Sequence, residues 1–174
     1  WKMADYCRKI GIVPNITVSD ISDETADKLT RVMGAVSVSR YVNKDACYNS
    51  IEKLVSRGLF QTNMHYMISE ESYESCFETL NDIKTDPRLS QLNAIVFLSL
   101  KKKGRGIDFT PLAKDKYEKL IRICFEKEIG FGMDSCGAKR FFDAIKDRPD
   151  YEQIKMLCDP CESVNFSMYI DVNA

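Results

Sequence analysis

Cys158-Asp159-Pro160-Cys161 is a C-x-x-C, a spacing at which two thiolates reach one metal ion or cluster. Cys136, in the upstream stretch "MDSCGAKRFF", would make a third soft ligand, and a thiol set of this kind suits zinc or an iron–sulfur cluster. A fourth ligand is open between Cys7, His65, Asp134 and a residue beyond position 174. The plainer alternative is unpaired thiols in a loop. A thioredoxin-like redox pair fits less well, because this C-x-x-C does not open a helix after an early strand.

His65 is the single histidine, and it sits beside Asn63 in a strand-like stretch. A near-neutral imidazole there suits proton transfer or ligand lining, and equally suits a hydrogen-bonded core position. The loop "KKKGRG" offers Lys101 and Arg105 to a carboxylate or phosphate without matching a phosphate-loop pattern; a solvated basic loop is the simpler reading. Arg40 has the same choice between an anion and a surface ion pair. Asp134 and Ser135 end a strand just before Cys136, where Asp134 either serves a site or caps the helix that follows.

Totals narrow the classes of function. The chain has 174 residues, 44% apolar and 29% charged, and a formal charge of −1. That length fits one domain with a real core, and so small a charge supplies no broad field for nucleic acid or an anionic membrane. No apolar run approaches a membrane span and no signal peptide opens the sequence. Seven cysteines, an odd number with several on helical core stripes, argue against a secreted disulfide scaffold and for a reducing, cytoplasmic setting. The triplets at Asn15 and Asn165 then read as chance matches to a glycosylation signal. A first residue of Trp rather than Met suggests a longer or trimmed parent chain.

The elements that must position these residues alternate in period. "MADYCRKIG" aligns Met3, Tyr6, Cys7 and Ile10 on one helical face, and "IVPNITVS" alternates as a strand. The cycle repeats: a helix with Ala26, Leu29 and Met33, then the strand "AVSVSRY"; a helix with Cys47, Ile51, Leu54 and Val55, then "FQTNMHYMIS"; a helix with Tyr73, Cys76, Phe77, Leu80 and Ile83, then "LNAIVFLSL". A helix with Tyr117, Leu120, Ile121 and Cys124 leads to the short strand "IGFGMDS" and a helix with Ala138, Phe141, Phe142 and Ile145. Such alternation predicts an α/β fold of parallel βα units with right-handed crossovers. Residues 1–145 read as this layer system and 146–174 as a cysteine-containing C-terminal appendage.

Polarity separates the strand faces. One carries Ile16 and Val18, Val36 and Val38, Met64, Tyr66 and Ile68, and, on the fourth strand, Ala94, Val96, Leu98 and Leu100. The other carries Asn15, Thr17 and Ser19, Ser37 and Ser39, Asn63 and His65, and Asn93, Ser99 and Lys101. A parallel sheet covered by helices on both sides is apolar on both. Hydroxyls, amides and an imidazole on one side instead predict a curved sheet around a polar ligand or water, a partial barrel with its site near the C-terminal strand ends.

The order of "NITVSD", "AVSVSRY", "NMHYMI", "VFLSLKKKGRG" and "IGFGMDSC…CDPCESVNFSMYIDV" resembles the later part of a radical S-adenosylmethionine enzyme barrel with a cysteine-rich C-terminal segment of the SPASM type. The resemblance implies a TIM-like (β/α)6 partial barrel. It implies S-adenosylmethionine near Ser37, Ser39, Arg40, Asn63 and His65. Cys136, Cys158 and Cys161 would hold an auxiliary [4Fe–4S] cluster. It also implies a peptide or small-molecule substrate, an electron donor protein, and radical chemistry after reductive cleavage of the cofactor. The family's C-x-x-x-C-x-x-C loop for the catalytic cluster is absent from these residues, so the chain is not expected to be active by itself. A non-catalytic α/β binding module stapled by zinc at the late cysteines is the alternative, and a cofactor-free interaction domain a further one.

Overall fold

The structure, a computed structural model, describes residues 1–156, 158 and 170. Five parallel strands, β1 (Asn15–Val18), β2 (Ala35–Ser39), β3 (Thr62–Ile68), β4 (Ala94–Ser99) and β5 (Phe131–Met133), form one sheet in the order β1-β2-β3-β4-β5. Among the described residues seven α-helices punctuate them: α1 (Lys2–Lys9), α2 (Asp23–Val32), α3 (Lys44–Val55), α4 (Tyr73–Thr85), α5 (Lys114–Glu126), α6 (Ala138–Ile145) and α7 (Tyr151–Lys155).

Local chemistry starts these helices. Ser22 Oγ accepts from the Thr25 amide at 3.2 Å ahead of α2, and Asn43 Oδ1 accepts from the Ala46 amide at 3.2 Å ahead of α3. Past the end of α3 the chain turns at Gly58, whose φ of +86° only glycine adopts freely.

Strand order decides the layers. A doubly wound sheet reverses its order at a switch point and so covers both faces. Here every step is to the next strand, and right-handed crossovers therefore deliver the helices to one face. Register shows which face. Val36 and Val38 on β2, Met64 and Tyr66 on β3, and Ile95 and Phe97 on β4 form one core with Leu29, Ile51, Leu54, Leu80, Leu120 and Ile121 from the helices. Phe131 continues that layer, its ring edge-on to Phe125 and Phe141. The result is an α/β fold of alternating βα units, consistent with a partial barrel.

Two expectations need correction. Ala94, Val96 and Leu98 do not face the helices. Asn63 pairs with Ala94 and His65 with Val96, so these residues share the open face while Ile95 and Phe97 are fully buried. "AIVFLS" is apolar throughout, and without alternation its phase is invisible until its partner strand fixes it. The apolar stripe of α1 is likewise not core: Met3, Tyr6 and Ile10 are exposed, and no α1 residue is buried.

The described part of 146–174 packs on this body. Tyr151, Ile154 and Cys158 lie partly buried against the core. No helix among the described residues is long and apolar enough to cross a membrane.

Candidate functional site

The open face is ordered into rows by strand register. Thr17, Ser37, Asn63 and Ala94 form one row, and Ser39, His65, Val96 and Gly132 form the next toward the C-terminal strand ends. Pleating sends alternate residues to this side, so the alternation in "AVSVS" and "TNMHY" places the hydroxyls, the amide and the imidazole together. An open depression of about 340 Å³ lies among Asn15, Ile16, Thr17, Ala35, Ser37 and Asn63.

Some of this polarity is structural. Asn15 Oδ1 accepts from the Ala35 amide at 2.9 Å and extends the ladder at the edge of the sheet. Asn63 Oδ1 accepts from Asn93 Nδ2 at 2.8 Å, which leaves the Asn63 amide NH2 directed elsewhere. Among the described residues, the hydroxyls of Thr17, Ser37 and Ser39 and the His65 ring make no hydrogen bond to the protein. These groups, exposed at Thr17 and half-exposed at Ser37, Ser39 and His65, are therefore available to a ligand.

Half-burial pushes the His65 pKa below its ordinary value, with the Asp134 carboxylate opposing that shift. Asp134 is fixed at the end of β5. Its amide donates to the Phe97 carbonyl at 3.1 Å, and its Oδ1 accepts from the Ser99 amide (3.2 Å), Ser99 Oγ (2.9 Å) and the Gly137 amide (3.1 Å). It caps the turn Ser135–Gly137 and bridges two strand ends.

Arg40 is parted from the other four cofactor candidates. Its amide donates to the His65 carbonyl at 2.8 Å, so strand pleating carries one residue past Ser39 and turns Arg40 to the helix side. There its guanidinium lies 5.9 Å from the centre of the buried Tyr48 ring and donates to the Tyr41 carbonyl, while Nε is buried without a protein partner among the described residues. Tyr48 donates to Asp82 at 2.9 Å, and burial first, then this carboxylate, pushes its phenol up to about 12.

The basic loop is held by carboxylates that sequence inspection did not single out. Glu70 Oε1 accepts from the Ala113 amide at 2.6 Å and its carboxylate meets Lys116 at 2.5 Å. Glu71 Oε1 accepts from the Thr110 amide at 2.9 Å. The paired acids in "SEES", directly after a strand, are the signal that would have found this clasp. Gly106 lets the loop close on itself, since a Cβ there would stand 2.3 Å from the Lys101 carbonyl oxygen.

Of the late cysteines, Cys136 is exposed and Cys158 half-buried, whereas Cys161 lies outside the described residues. Thiols of this kind suit a soft metal or cluster, but among the described residues no three His, Cys, Asp or Glu side chains gather to metal-binding distance.

No family model matches the chain. Nor does any curated protein match it.

Proposed function

We propose that this chain is the later part of a radical S-adenosylmethionine (β/α)6 barrel. S-adenosylmethionine would bind the polar half of the open face through Ser37, Ser39, Asn63 and His65. Cys136, Cys158 and Cys161 would hold an auxiliary [4Fe–4S] cluster. The supporting observation is a row of available hydroxyl, amide and imidazole groups on the uncovered side of a consecutively ordered parallel sheet. Burying such groups without partners is costly, whereas a ribose and an amino-acid carboxylate would satisfy them.

Reductive cleavage of the cofactor would supply a 5′-deoxyadenosyl radical for hydrogen abstraction from a peptide or small-molecule substrate, with an electron donor protein as partner. The cluster loop for that step is not among these residues, so this chain's share is binding and orientation. Arg40 belongs to the reading only if its guanidinium leaves Tyr48 for the cofactor carboxylate. A cytoplasmic setting follows from the thiol-rich composition.

Calorimetric titration with S-adenosylmethionine tests the binding half. Saturable binding is expected, weakened about fivefold or more by Ser37→Val or Asn63→Leu through loss of one hydrogen bond each. Absence of binding, or binding indifferent to both changes, overturns it. Anaerobic reconstitution with iron and sulfide tests the cluster half: bound iron and sulfide should fall when Cys136, Cys158 or Cys161 is replaced by Ala. Tightly held zinc without S-adenosylmethionine binding would instead support the zinc-stapled module.

A further inference from the structure

The open face changes character between β3 and β4. Each row starts with polar side chains on β1 to β3 and ends with Ala94, or with Val96 and Gly132. Leu98 stands beside Met67, which is 38% exposed, on this same side. Val96 and Leu98 are half-buried, although Ile95 before them and Phe97 between them are completely buried. An aliphatic wall thus adjoins the polar groups directly, and among the described residues Val96 and Leu98 stay partly open on this side.

Gly132 sets the depth of that wall. The chain has eight glycines, and seven have a visible reason. Gly11, Gly58 and Gly104 have positive φ. At Gly34, Gly106, Gly130 and Gly137 an added Cβ would meet another atom at 2.1 to 2.8 Å. Gly132 has neither: its φ lies outside the left-handed region and its Cβ would meet only Val96 Cγ2, at an ordinary 3.7 Å. Among the described residues no close contact demands glycine there. Its missing side chain leaves a notch beside Val96, on the face where His65 and Ser39 stand in register.

We propose that Val96, Leu98 and the Gly132 notch form the specificity wall of the substrate site and receive an aliphatic side chain, with Gly132 limiting its size. This rests on the reading that the polar half holds S-adenosylmethionine. The substrate is then a molecule presenting an aliphatic group beside the cofactor, and a purely polar substrate is excluded. Transfer of aliphatic surface from water onto this wall supplies the preference.

The test uses the full chain with labelled Val, Leu, Ile and Met methyl groups, titrated by NMR with N-acetyl-leucine methylamide and with N-acetyl-serine methylamide. The leucine probe should shift the Val96 and Leu98 methyls and bind about tenfold more tightly than the serine probe. Gly132→Ala should weaken the leucine probe about threefold and Gly132→Val about tenfold or more, as the notch fills. Gly132→Ala should also raise the unfolding temperature, because it narrows the unfolded ensemble at a compatible site, so weaker binding cannot be ascribed to misfolding. Equal affinity for the two probes, shifts confined to the exposed Ile10, Ile12 and Val13, or an unchanged leucine affinity in Gly132→Val overturns the wall. S-adenosylmethionine binding without the leucine preference sinks this inference alone. The leucine preference without S-adenosylmethionine binding supports the wall and sinks the cofactor reading.

Discussion

His65 on β3 pairs with Val96 on β4, and across that one step the open face passes from imidazole to aliphatic surface. The same neighbours set the electrostatics of the ring. Half-burial favours its neutral form and outweighs the opposing pull of the Asp134 carboxylate. In an NMR titration His65 should titrate below the ordinary imidazole value, and Asp134→Asn should move it lower still. A group whose folded pKa is depressed in this way binds more protons when unfolded, so the fold should lose stability as pH drops below about 6.5. An unmoved or raised pKa in Asp134→Asn would show that the carboxylate does not act on the ring.

The parity of β4 has its own mutational signature. Phe97 is fully buried, its ring centre 6.3 Å from that of Phe131, so Phe97→Ala should cost about 3–5 kcal/mol in denaturant unfolding. Val96 stands on the uncovered side, and Val96→Ala should cost less than about 1.5 kcal/mol. Reversed magnitudes would mean that β4 is shifted by one residue.

The contrast between β3 and β4 explains what was legible in the sequence. In "TNMHYMI" polar and apolar residues alternate, so Asn63 and His65 could be assigned a face before any partner was known. In "AIVFLS" no polar residue marks the phase, and the wall of Val96 and Leu98 emerges only from pairing with β3. Helix stripes such as Cys47, Ile51, Leu54 and Val55 were visible because period and burial coincide there. In α1 the same period is present, but among the described residues Met3, Tyr6 and Ile10 stay exposed. The resemblance groups Arg40 with Ser37 and Ser39, whereas pleating sends the consecutive residues Ser39 and Arg40 to opposite sides.

The Glu70 and Glu71 clasp should be visible in a carboxyl titration. The Glu71 carboxylate is held down to about 2, first by its own backbone amide and Ser69, with Thr110 contributing further, against desolvation. A depressed carboxyl keeps its interaction above its unfolded value and loses it as pH falls through the folded one. The Thr110 amide resonance should therefore hold steady down to mildly acidic pH and move with a midpoint of about 2. Glu71→Gln should abolish that transition and speed proteolytic nicking between Lys101 and Phe109. An unchanged cleavage rate would remove the clasp as the constraint on this loop.

Thiol labelling separates the cysteines by environment. Burial pushes Cys47 and Cys124 up to about 12, against a lowering pull of Arg40 on Cys47, and raises Cys76 as well. All three are closed to solvent, and the thiolate is the reactive form. Cys136 is exposed at the turn that Asp134 caps. In folded protein at about pH 8, iodoacetamide followed by peptide mass spectrometry should modify Cys136 first and leave Cys47, Cys76 and Cys124 unmodified until denaturant is added. Labelling of Cys124 as fast as Cys136 would contradict the packing of α5 on the sheet. Reconstitution with iron and sulfide should then protect Cys136 alone among these four. Protection of Cys136 that survives Cys158→Ala and Cys161→Ala together would show that any metal bound there uses other ligands.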